Sequence, residues 1–405
     1  MTQSTITIPG RVHKIRRASG IVFIIIQHGK FLYQGVYIPE ICENSLNEIC
    51  EGAYAKFTAT PKSEKRADYG VELTIKSFTV FSLPKAEFPV TITQPTLTCN
   101  LAESLEARTL TLKHPRNMAI MSIGSHIRQA FSKYMDNLDF SPITTPKITT
   151  IKDETTNYIN LRYFGNDCNL SMSPEYYLQM ALSAYDRVYE ISTHYSDINR
   201  NSARHLNEYT CLDFEMAYAT MESAIRLMTQ LISNAVNMIK ESCKDELETL
   251  GITLTTPDTI PSITFEEAMN ILAKGQTNTC LDPTDEAKLS SYAKEKFNCE
   301  LIFITDLPAL NLPFYAQKGF VLLYNGVEVG KGYENIYDYD RILKSIMDKG
   351  LNSDCYLPLL DAYKYGMPPH SSGVIGIERF LTKLTGLDNI REASMFPRDL
   401  HHISP

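Results

Sequence analysis

The sequence lacks the patterns that mark membrane-spanning, secreted and cysteine-rich metal-binding proteins. No segment approaches about eighteen consecutive uncharged apolar residues. The stretch from Met1 to Pro9 has neither a basic amphipathic leader nor an apolar signal core. The nine cysteines are scattered and form no Cys-x-x-Cys pair. We therefore expect a cytoplasmic protein with reduced thiols, no membrane association and no zinc site.

Composition sets further limits on the kind of protein. A net charge of −8 argues against a general nucleic-acid coat, although it permits a local basic patch for one specific RNA. With 405 residues, of which 43% are hydrophobic and 21% charged, the chain can bury one large core and the core of a smaller domain. We find no internal repeat.

The first part of the chain, residues 1–83, has short β-like segments separated by turn residues such as His28 and Gly29. Five such segments in so short a stretch predict a small barrel of the oligonucleotide-binding (OB) type. The segments are Ile6–Ile8, Gly20–Ile26, Phe31–Val36, Ala53–Thr58 and Glu72–Ile75. Arg11, Lys14, Arg16 and Arg17 form either a basic edge for phosphates or a solvated face.

Residues 84–106 are rich in Pro and Thr and predict an extended linker, so the second domain is expected to span residues 107–405. The apolar spacing from Met118 to Met135 predicts a helix, and a strand is expected to follow it. Further strands and amphipathic helices predict an α+β domain with an antiparallel sheet flanked by helices. The predicted strands are Leu161–Phe164, Cys168–Met172, Asp186–Ile191, Glu208–Met216, Leu301–Thr305 and Gly319–Tyr324.

A glycine-containing stretch near the C-terminus is the strongest functional signal. Gly373 and Gly376 let a strand run close to a flat ligand, and Arg379 adds a planar cation, a combination that suits a nucleotide. Alone, the stretch would more often be a strand-to-helix turn beside a surface arginine. Its flanking segments are Tyr363–His370, Gly386–Glu392 and Met395–Arg398.

Together these segments resemble the third signature motif of class II aminoacyl-tRNA synthetases, specifically aspartyl-tRNA synthetases of the archaeal and eukaryotic type. The resemblance covers essentially the whole chain. It implies an adenylate-forming ligase with an OB-fold anticodon-binding domain, a class II catalytic domain, and ATP and Mg²⁺ as cofactors. It also implies a homodimer through the segment from Met118 to Lys147, which resembles motif 1.

The resemblance assigns nucleotide-binding roles to residues of motifs 2 and 3. Arg204 and His205 would approach the γ-phosphate, Glu208 would lie near the adenine, and Tyr209 occupies the stacking position. Arg379 would hold ATP from the other side, with Gly376 close by. Glu328 is similar to a metal-binding glutamate. Catalytic roles are therefore expected for Arg204, His205, Glu328 and Arg379.

Residues expected to bind the amino acid are Glu154, Ser173, Glu175, Gln179, Ser196, Asn335 and Gly373. Several depart from the family pattern. Ser196 stands where an arginine bridges the α-phosphate and the substrate carboxylate, and Val321 replaces an aspartate that binds magnesium. Glu175 and Leu178 replace a glutamine and a lysine, and Asn335 replaces the arginine that clamps the aspartate side chain. An unpaired aspartate carboxylate would be costly to bury, so a neutral or polar amino acid fits better.

The barrel has its own expected site. Phe23 and Gln34 match the aromatic residue and the glutamine with which the family reads an anticodon, by stacking on a base and hydrogen bonding to a base edge. The alternative is that Phe23 is a core residue of its strand and Gln34 a solvated one.

Three functions agree with the sequence. The chain could be a class II ligase that activates an amino acid other than aspartate, with tRNA or a small amine as acceptor. It could be a catalytically inactive paralogue that binds tRNA or regulates. It could also be a diverged housekeeping aspartate–tRNA ligase whose altered residues are compensated elsewhere.

Overall fold

The structure is a computed structural model that describes residues 4–18, 20–151, 158–275 and 279–403. The chain divides into two compact units, Met1–Met118 and Ala119–Pro405. We describe each unit separately.

The first unit contains a closed five-stranded barrel with the strand order β1-β2-β3-β5-β4. Its strands are β1 (Ile6–Ala18), β2 (Ile21–His28), β3 (Phe31–Tyr37), β4 (Tyr54–Ser63) and β5 (Val71–Ser82). Val12, Ile24 and Phe57 are fully buried among other apolar side chains inside the barrel. The barrel closes because β3 pairs in parallel with β5 and β1 pairs antiparallel with β4. The prediction of an OB-type barrel is confirmed.

Two short helices follow in this unit, α1 (Leu101–Glu106) and α2 (Arg108–Thr111). Asn100 caps α1 by accepting a hydrogen bond from the Glu103 amide, while the Glu103 carboxylate accepts one from the Asn100 amide. The helix α3 (Pro115–Asn137) contains the predicted helical segment, and its first turn contains the division between the units.

The second unit is built on an eight-stranded sheet with the order β12-β13-β14-β15-β16-β11-β10-β6, beside a three-stranded sheet with the order β7-β9-β8. In the large sheet the central pairs are antiparallel, and the edge pairs β12–β13 and β6–β10 are parallel. The strands are β6 (Ser141–Pro142), β7 (Ile148–Thr149), β8 (Asn160–Tyr163), β9 (Asn166–Leu170), β10 (Arg187–Tyr195), β11 (Glu208–Ala217), β12 (Ser262–Thr264), β13 (Leu301–Thr305), β14 (Ala316–Tyr324), β15 (Val327–Asn335) and β16 (His370–Gly376).

Helices cover this sheet and bury its apolar side chains. They are α4 (Glu175–Ala181), α5 (Met221–Ser242), α6 (Lys244–Leu250), α7 (Phe265–Ile271), α8 (Pro283–Phe297), α9 (Tyr339–Asp348), α10 (Leu357–Lys364) and α11 (Ile377–Leu384). The largest core cluster joins one face of α5 to sheet residues such as Phe214 and Phe320. Among the helices of the described segments, none is long and apolar enough to cross a membrane.

The central strands β11, β15 and β16 pack closely around Gly373. Gly373 lies opposite Phe214 on β11 and Gly332 on β15, and a Cβ at Gly373 would come within 2.4 Å of the Phe214 ring. The glycine therefore allows a phenylalanine side chain to pack flat against β16. Strand β15 was not among the predicted strands, and it carries Glu328, Lys331, Tyr333 and Asn335, which are discussed below.

Candidate active site

A cavity of about 550 Å³ opens on the face of the central strands of the second unit. Its volume lies within the range of small-molecule sites. Many of the residues predicted from the sequence line it. They are Ser173, Glu175, Arg204, His205, Tyr209, Glu328, Gly376 and Arg379.

Arg379 connects three segments of the site. Its Nη1 donates a hydrogen bond to the Glu328 carbonyl over 2.9 Å, and its Nε donates to the Arg204 carbonyl over 3.4 Å. The same Nη1 lies 3.9 Å from Glu328 Oε1. Because α11 begins one residue after Gly376, Arg379 stands in the first turn of that helix and faces the cavity. It is held in place by backbone acceptors, so its charge remains available to an anionic ligand.

Arg204 supplies a second cation at this end of the cavity, and His205 lies beside it. Arg204 forms an ion pair with Glu286 of α8. His205 shares a hydrogen bond with the Ser202 hydroxyl over 2.6 Å. Burial and the nearby charges of Arg379 and Arg204 lower the pKa of His205 to about 4, so its imidazole is neutral at pH 7.

The two other nucleotide-binding candidates lie at the start of β11 and differ in exposure. Tyr209 lines the cavity, and its ring centroid lies 5.6 Å from that of His194. Glu208 is exposed, forms an isolated backbone bridge with Arg398, and is not among the described residues that line the cavity.

The remaining amino-acid-binding candidates lie behind the cavity wall rather than on it. Gln179, Ser196 and Asn335 are each at most 1% exposed and, like Gly373, are absent from the described lining of the cavity. Gln179 donates to Glu175 over 3.1 Å and accepts from the Tyr363 hydroxyl over 2.9 Å. These residues therefore support the wall. Glu154 lies outside the described residues.

Two acidic side chains lie close together at the inner end of the cavity, where Glu175 lines it and Glu215 is buried and is not among the described lining residues. Burial raises the pKa of Glu175, and burial together with the charge of Glu175 raises the pKa of Glu215 well above its ordinary range. Two carboxyls so close cannot both ionise cheaply, so their mutual repulsion acts in the same direction as burial on the pKa of Glu215. Asn335 donates to Glu215 Oε1 over 3.0 Å. A neutral amide therefore lies behind the cavity wall at the position where the resemblance called for an arginine.

Lys331 is a cation in the cavity that the sequence analysis did not identify. It lies three residues beyond Glu328 on β15, lines the cavity and is exposed to its interior. The electrostatic effect of Tyr333 is the largest cause that raises the pKa of Lys331, and Glu328 and Tyr209 raise it further. Burial acts in the opposite direction. The alternation of Lys331, Tyr333 and Asn335 along a strand was the available signal. It was missed because β15 was not predicted.

The acidic side chains beside Glu328 are not those that the family resemblance predicts as metal ligands. Val321 pairs with Lys331 across β14 and β15, so the second magnesium ligand of the family pattern is an apolar side chain here. Glu286 approaches from α8 instead, where it contacts Arg204 and is close enough to Glu328 for the two charges to interact. Burial raises the pKa of Glu286 despite its ion pair. Glu328 and Glu286 are therefore the carboxylates that could hold a divalent cation beside a phosphate chain.

In the barrel unit, Arg16 lies close to both predicted anticodon residues. Its guanidinium carbon is 5.6 Å from the centre of the Phe23 ring, and its Nη2 donates to Gln34 Oε1 over 2.9 Å. Gln34 also donates to Glu72 over 2.9 Å. Phe23 is partly exposed, so it is not confined to the barrel core.

Comparison with known proteins places this geometry in a family. Residues 100–400 match the model of class II tRNA synthetases of the D, K and N group. The chain is 29% identical over 422 residues to an aspartate–tRNA(Asp/Asn) ligase of Archaeoglobus fulgidus, covering 100% of this chain and 97% of that protein. It is 33% identical over 358 residues to the corresponding ligase of Thermus thermophilus, covering 84% of each.

Solved structures show the same fold. An asparaginyl-tRNA synthetase from Pyrococcus horikoshii, complexed with asparaginyl-adenylate, superposes with a TM-score of 0.92 at 23% identity, covering 100% of this chain and 96% of that one. An aspartyl-tRNA synthetase from Entamoeba histolytica gives a TM-score of 0.87 at 23% identity, covering 100% and 90%. With its OB-type barrel and its class II sheet, this chain belongs to the class II tRNA synthetases of the D, K and N group.

Proposed function

We propose that the protein is an ATP-dependent ligase that activates an amino acid other than aspartate as an adenylate and transfers it to tRNA or to a small amine. The observation that carries the proposal is the set of cations around one cavity. Arg204, Arg379 and Lys331 all line it, beside Tyr209 and Glu328. Amino-acid activation needs cations on the phosphates, a surface for the adenine and a carboxylate for a metal.

Lys331 compensates for the arginine that Ser196 replaces. Removing one preorganised charge from a developing anion typically costs about 3 kcal/mol, so a chain with no substitute would lose most of its activity. Lys331 is on β15, whereas Ser196 directly follows β10. The neighbours of Lys331, Tyr209 and Glu328, nevertheless belong to the nucleotide end of the cavity. Its ammonium can therefore neutralise the α-phosphate and the substrate carboxylate as they approach each other.

ATP and Mg²⁺, which the family uses, fit the residues present. Arg204 and Arg379 would hold the phosphates, with neutral His205 as a hydrogen-bond partner, and Tyr209 would stack on the adenine. Glu328 and Glu286 would hold the metal, which when bound supplies neutralising charge to the phosphate chain.

The choice of amino acid follows from the inner pocket. Asn335 is fully buried and donates to Glu215, and Leu178 is fully buried in an apolar cluster. The Glu175–Glu215 pair adds acidic groups rather than a cation. A substrate carboxylate would be buried there without a partner and beside like charge. Glu175 suits the α-ammonium, so the substrate has a neutral or polar side chain.

The test is amino-acid-dependent ATP–pyrophosphate exchange across a panel of amino acids, with and without bulk tRNA, together with calorimetric titration of ATP. The proposal requires exchange with at least one amino acid and little with aspartate. Strong exchange with aspartate would identify a diverged aspartate–tRNA ligase, which is the activity named for its relatives. Absence of both exchange and ATP binding would identify a non-enzymatic paralogue.

A further inference from the structure

Three side chains of different chemistry meet on the wall of the cavity, and the proposed reaction uses none of them. His194 is on β10, and Cys211 and Asp213 are on β11. All three are buried and line the cavity. One potential ligand atom from each, an imidazole nitrogen, a thiol sulfur and a carboxylate oxygen, lies within 4.8 Å of the other two.

The pairing of β10 with β11 explains why these side chains meet. His194 lies opposite Tyr209, and Ser192 lies opposite Cys211. Since alternate residues of a strand share a face, Tyr209, Cys211 and Asp213 point the same way, and His194 is the diagonal neighbour of Cys211. The cluster is therefore fixed by two adjacent strands and not by a loop.

We propose that His194, Cys211 and Asp213 form a zinc site with three protein ligands and a fourth position open to the cavity. Imidazole, thiolate and carboxylate are the ligands that Zn²⁺ uses in proteins, and three protein ligands with one open position is the pattern of zinc sites that bind substrate. The open position takes a nitrogen, oxygen or sulfur donor of the amino-acid substrate. That role rests on the proposed function, whereas the metal site does not.

The geometry needs only a small adjustment to bind the metal. His194 Nε2 lies 2.8 Å from Asp213 Oδ2. Ligand atoms around tetrahedral zinc are about 3.4 Å apart, so the imidazole and carboxylate would separate by about half an ångström as their hydrogen bond is replaced. Burial is the largest single influence and lowers the pKa of His194, but Asp213 and Cys211 together outweigh burial and the net pKa is raised, so zinc must displace the imidazole proton.

A second use of these residues, as a Cys–His–Asp nucleophile, fits less well. Burial raises the pKa of the Cys211 thiol, although His194 acts in the opposite direction. A nucleophilic cysteine needs a lowered pKa. A metal, in contrast, removes the thiol proton directly.

The test is metal content after incubation of the full chain with Zn²⁺ and removal of free metal by gel filtration. Wild type should retain about one equivalent of zinc, and Cys211→Ser and His194→Asn should each lose most of it. The matched control is Cys168→Ser, because Cys168 is also a buried thiol but is not among the described residues that line the cavity. That variant should retain the wild-type zinc content.

Cobalt substitution tests the assignment of the ligand independently of activity. Wild type and Cys168→Ser should show a thiolate-to-cobalt charge-transfer band that Cys211→Ser lacks, and circular dichroism should establish that each variant is folded. Persistence of the band in Cys211→Ser, or a wild type that retains no more zinc than its Cys211→Ser variant, would overturn the site. Because neither measurement depends on exchange activity, an inactive protein that binds zinc would refute the proposed function while the metal site stands.

Discussion

Asn335 and Glu215 are joined by a hydrogen bond of 3.0 Å between Nδ2 and Oε1, and neither side chain is exposed. This contact fixes a neutral amide directly behind the wall of the cavity. Because residue 335 is an asparagine, it places an amide and not a cation beside Glu215. Burial raises the pKa of Glu215. In the proposed function, this contact is the reason why a substrate carboxylate is disfavoured.

Replacing this amide by a cation should change the preferred substrate. In Asn335→Arg, the guanidinium would pair with Glu215 and offer its remaining donors to an aspartate carboxylate. Pairing a buried carboxylate is worth several kcal/mol, so we expect kcat/KM for aspartate to rise by about tenfold or more relative to the preferred amino acid. The control is Asn335→Gln, which keeps an amide. A folded Asn335→Arg protein with unchanged relative preference would contradict this account of the pocket.

Stacking by the barrel can be tested through Phe23. We expect Phe23→Ala to weaken binding of the cognate tRNA by about 1–3 kcal/mol through loss of a stacked base, with smaller effects on unrelated RNAs. Phe81→Ala is the control, because Phe81 is 62% exposed on another strand of the barrel. Fluorescence anisotropy with individual tRNAs measures the affinities. Equal binding of all tRNAs by wild type and Phe23→Ala would leave Phe23 without a role in anticodon reading.

The homodimer remains a prediction. The segment from Met118 to Lys147 includes most of α3, a helix of 23 residues. In a two-fold dimer this helix would contact the same segment of the second copy along its length. Analytical ultracentrifugation at micromolar concentration should give twice the mass of the 45.8 kDa chain. A monomer mass across that concentration range would refute the dimer.

A buried histidine should make stability depend on pH. His370 is 1% exposed, and burial lowers its pKa to about 4 from 6.5. The unfolded chain therefore takes up a proton first as the pH falls below about 6.5, and the folded state is destabilised by about 2 kcal/mol between pH 7 and pH 5. Above pH 6.5 the effect disappears.

Denaturant unfolding at both pH values measures this contribution. His370→Gln should show a smaller loss of unfolding free energy between pH 7 and pH 5 than wild type does. His28→Gln, which replaces an exposed histidine, should behave like wild type. An equal loss in wild type and His370→Gln would show that other groups carry the pH dependence.

The sequence was sufficient to predict the barrel and the α+β class because both depend on local patterns. Short apolar runs bounded by turn residues mark β2 and β3, and Leu301–Thr305, which begins with four apolar residues, has predicted bounds that match those observed. The candidate nucleotide-binding residues came from the family resemblance, since Arg204, Tyr209 and Arg379 stand within recognisable motifs. Their convergence on one cavity required the structure.

Other features of the site depend on pairing between distant segments. Strand β15 contains Gly330 and Gly332, which weaken a strand pattern, so neither the strand nor its cavity-facing Lys331 was predicted. The meeting of His194 with Cys211 and Asp213 depends on the register of two strands, and scattered cysteines gave no spacing from which to infer a metal site. Glu286 reaches Arg204 from a helix that was not predicted.

Amino-acid-dependent pyrophosphate exchange in Lys331 variants tests the central claim most directly. If Lys331 supplies the charge that Ser196 lacks, wild type should exchange with an amino acid other than aspartate, and Lys331→Ala should reduce the rate by about a hundredfold or more. Lys331→Arg should retain much of the activity, and adding Ser196→Arg to Lys331→Ala should restore part of it. The control is Lys318→Ala, because Lys318 has a side chain 47% exposed and lies 3.5 Å from Glu334. A wild type that exchanges rapidly with aspartate, or a Lys331→Ala variant as active as the Lys318→Ala control, would contradict the account.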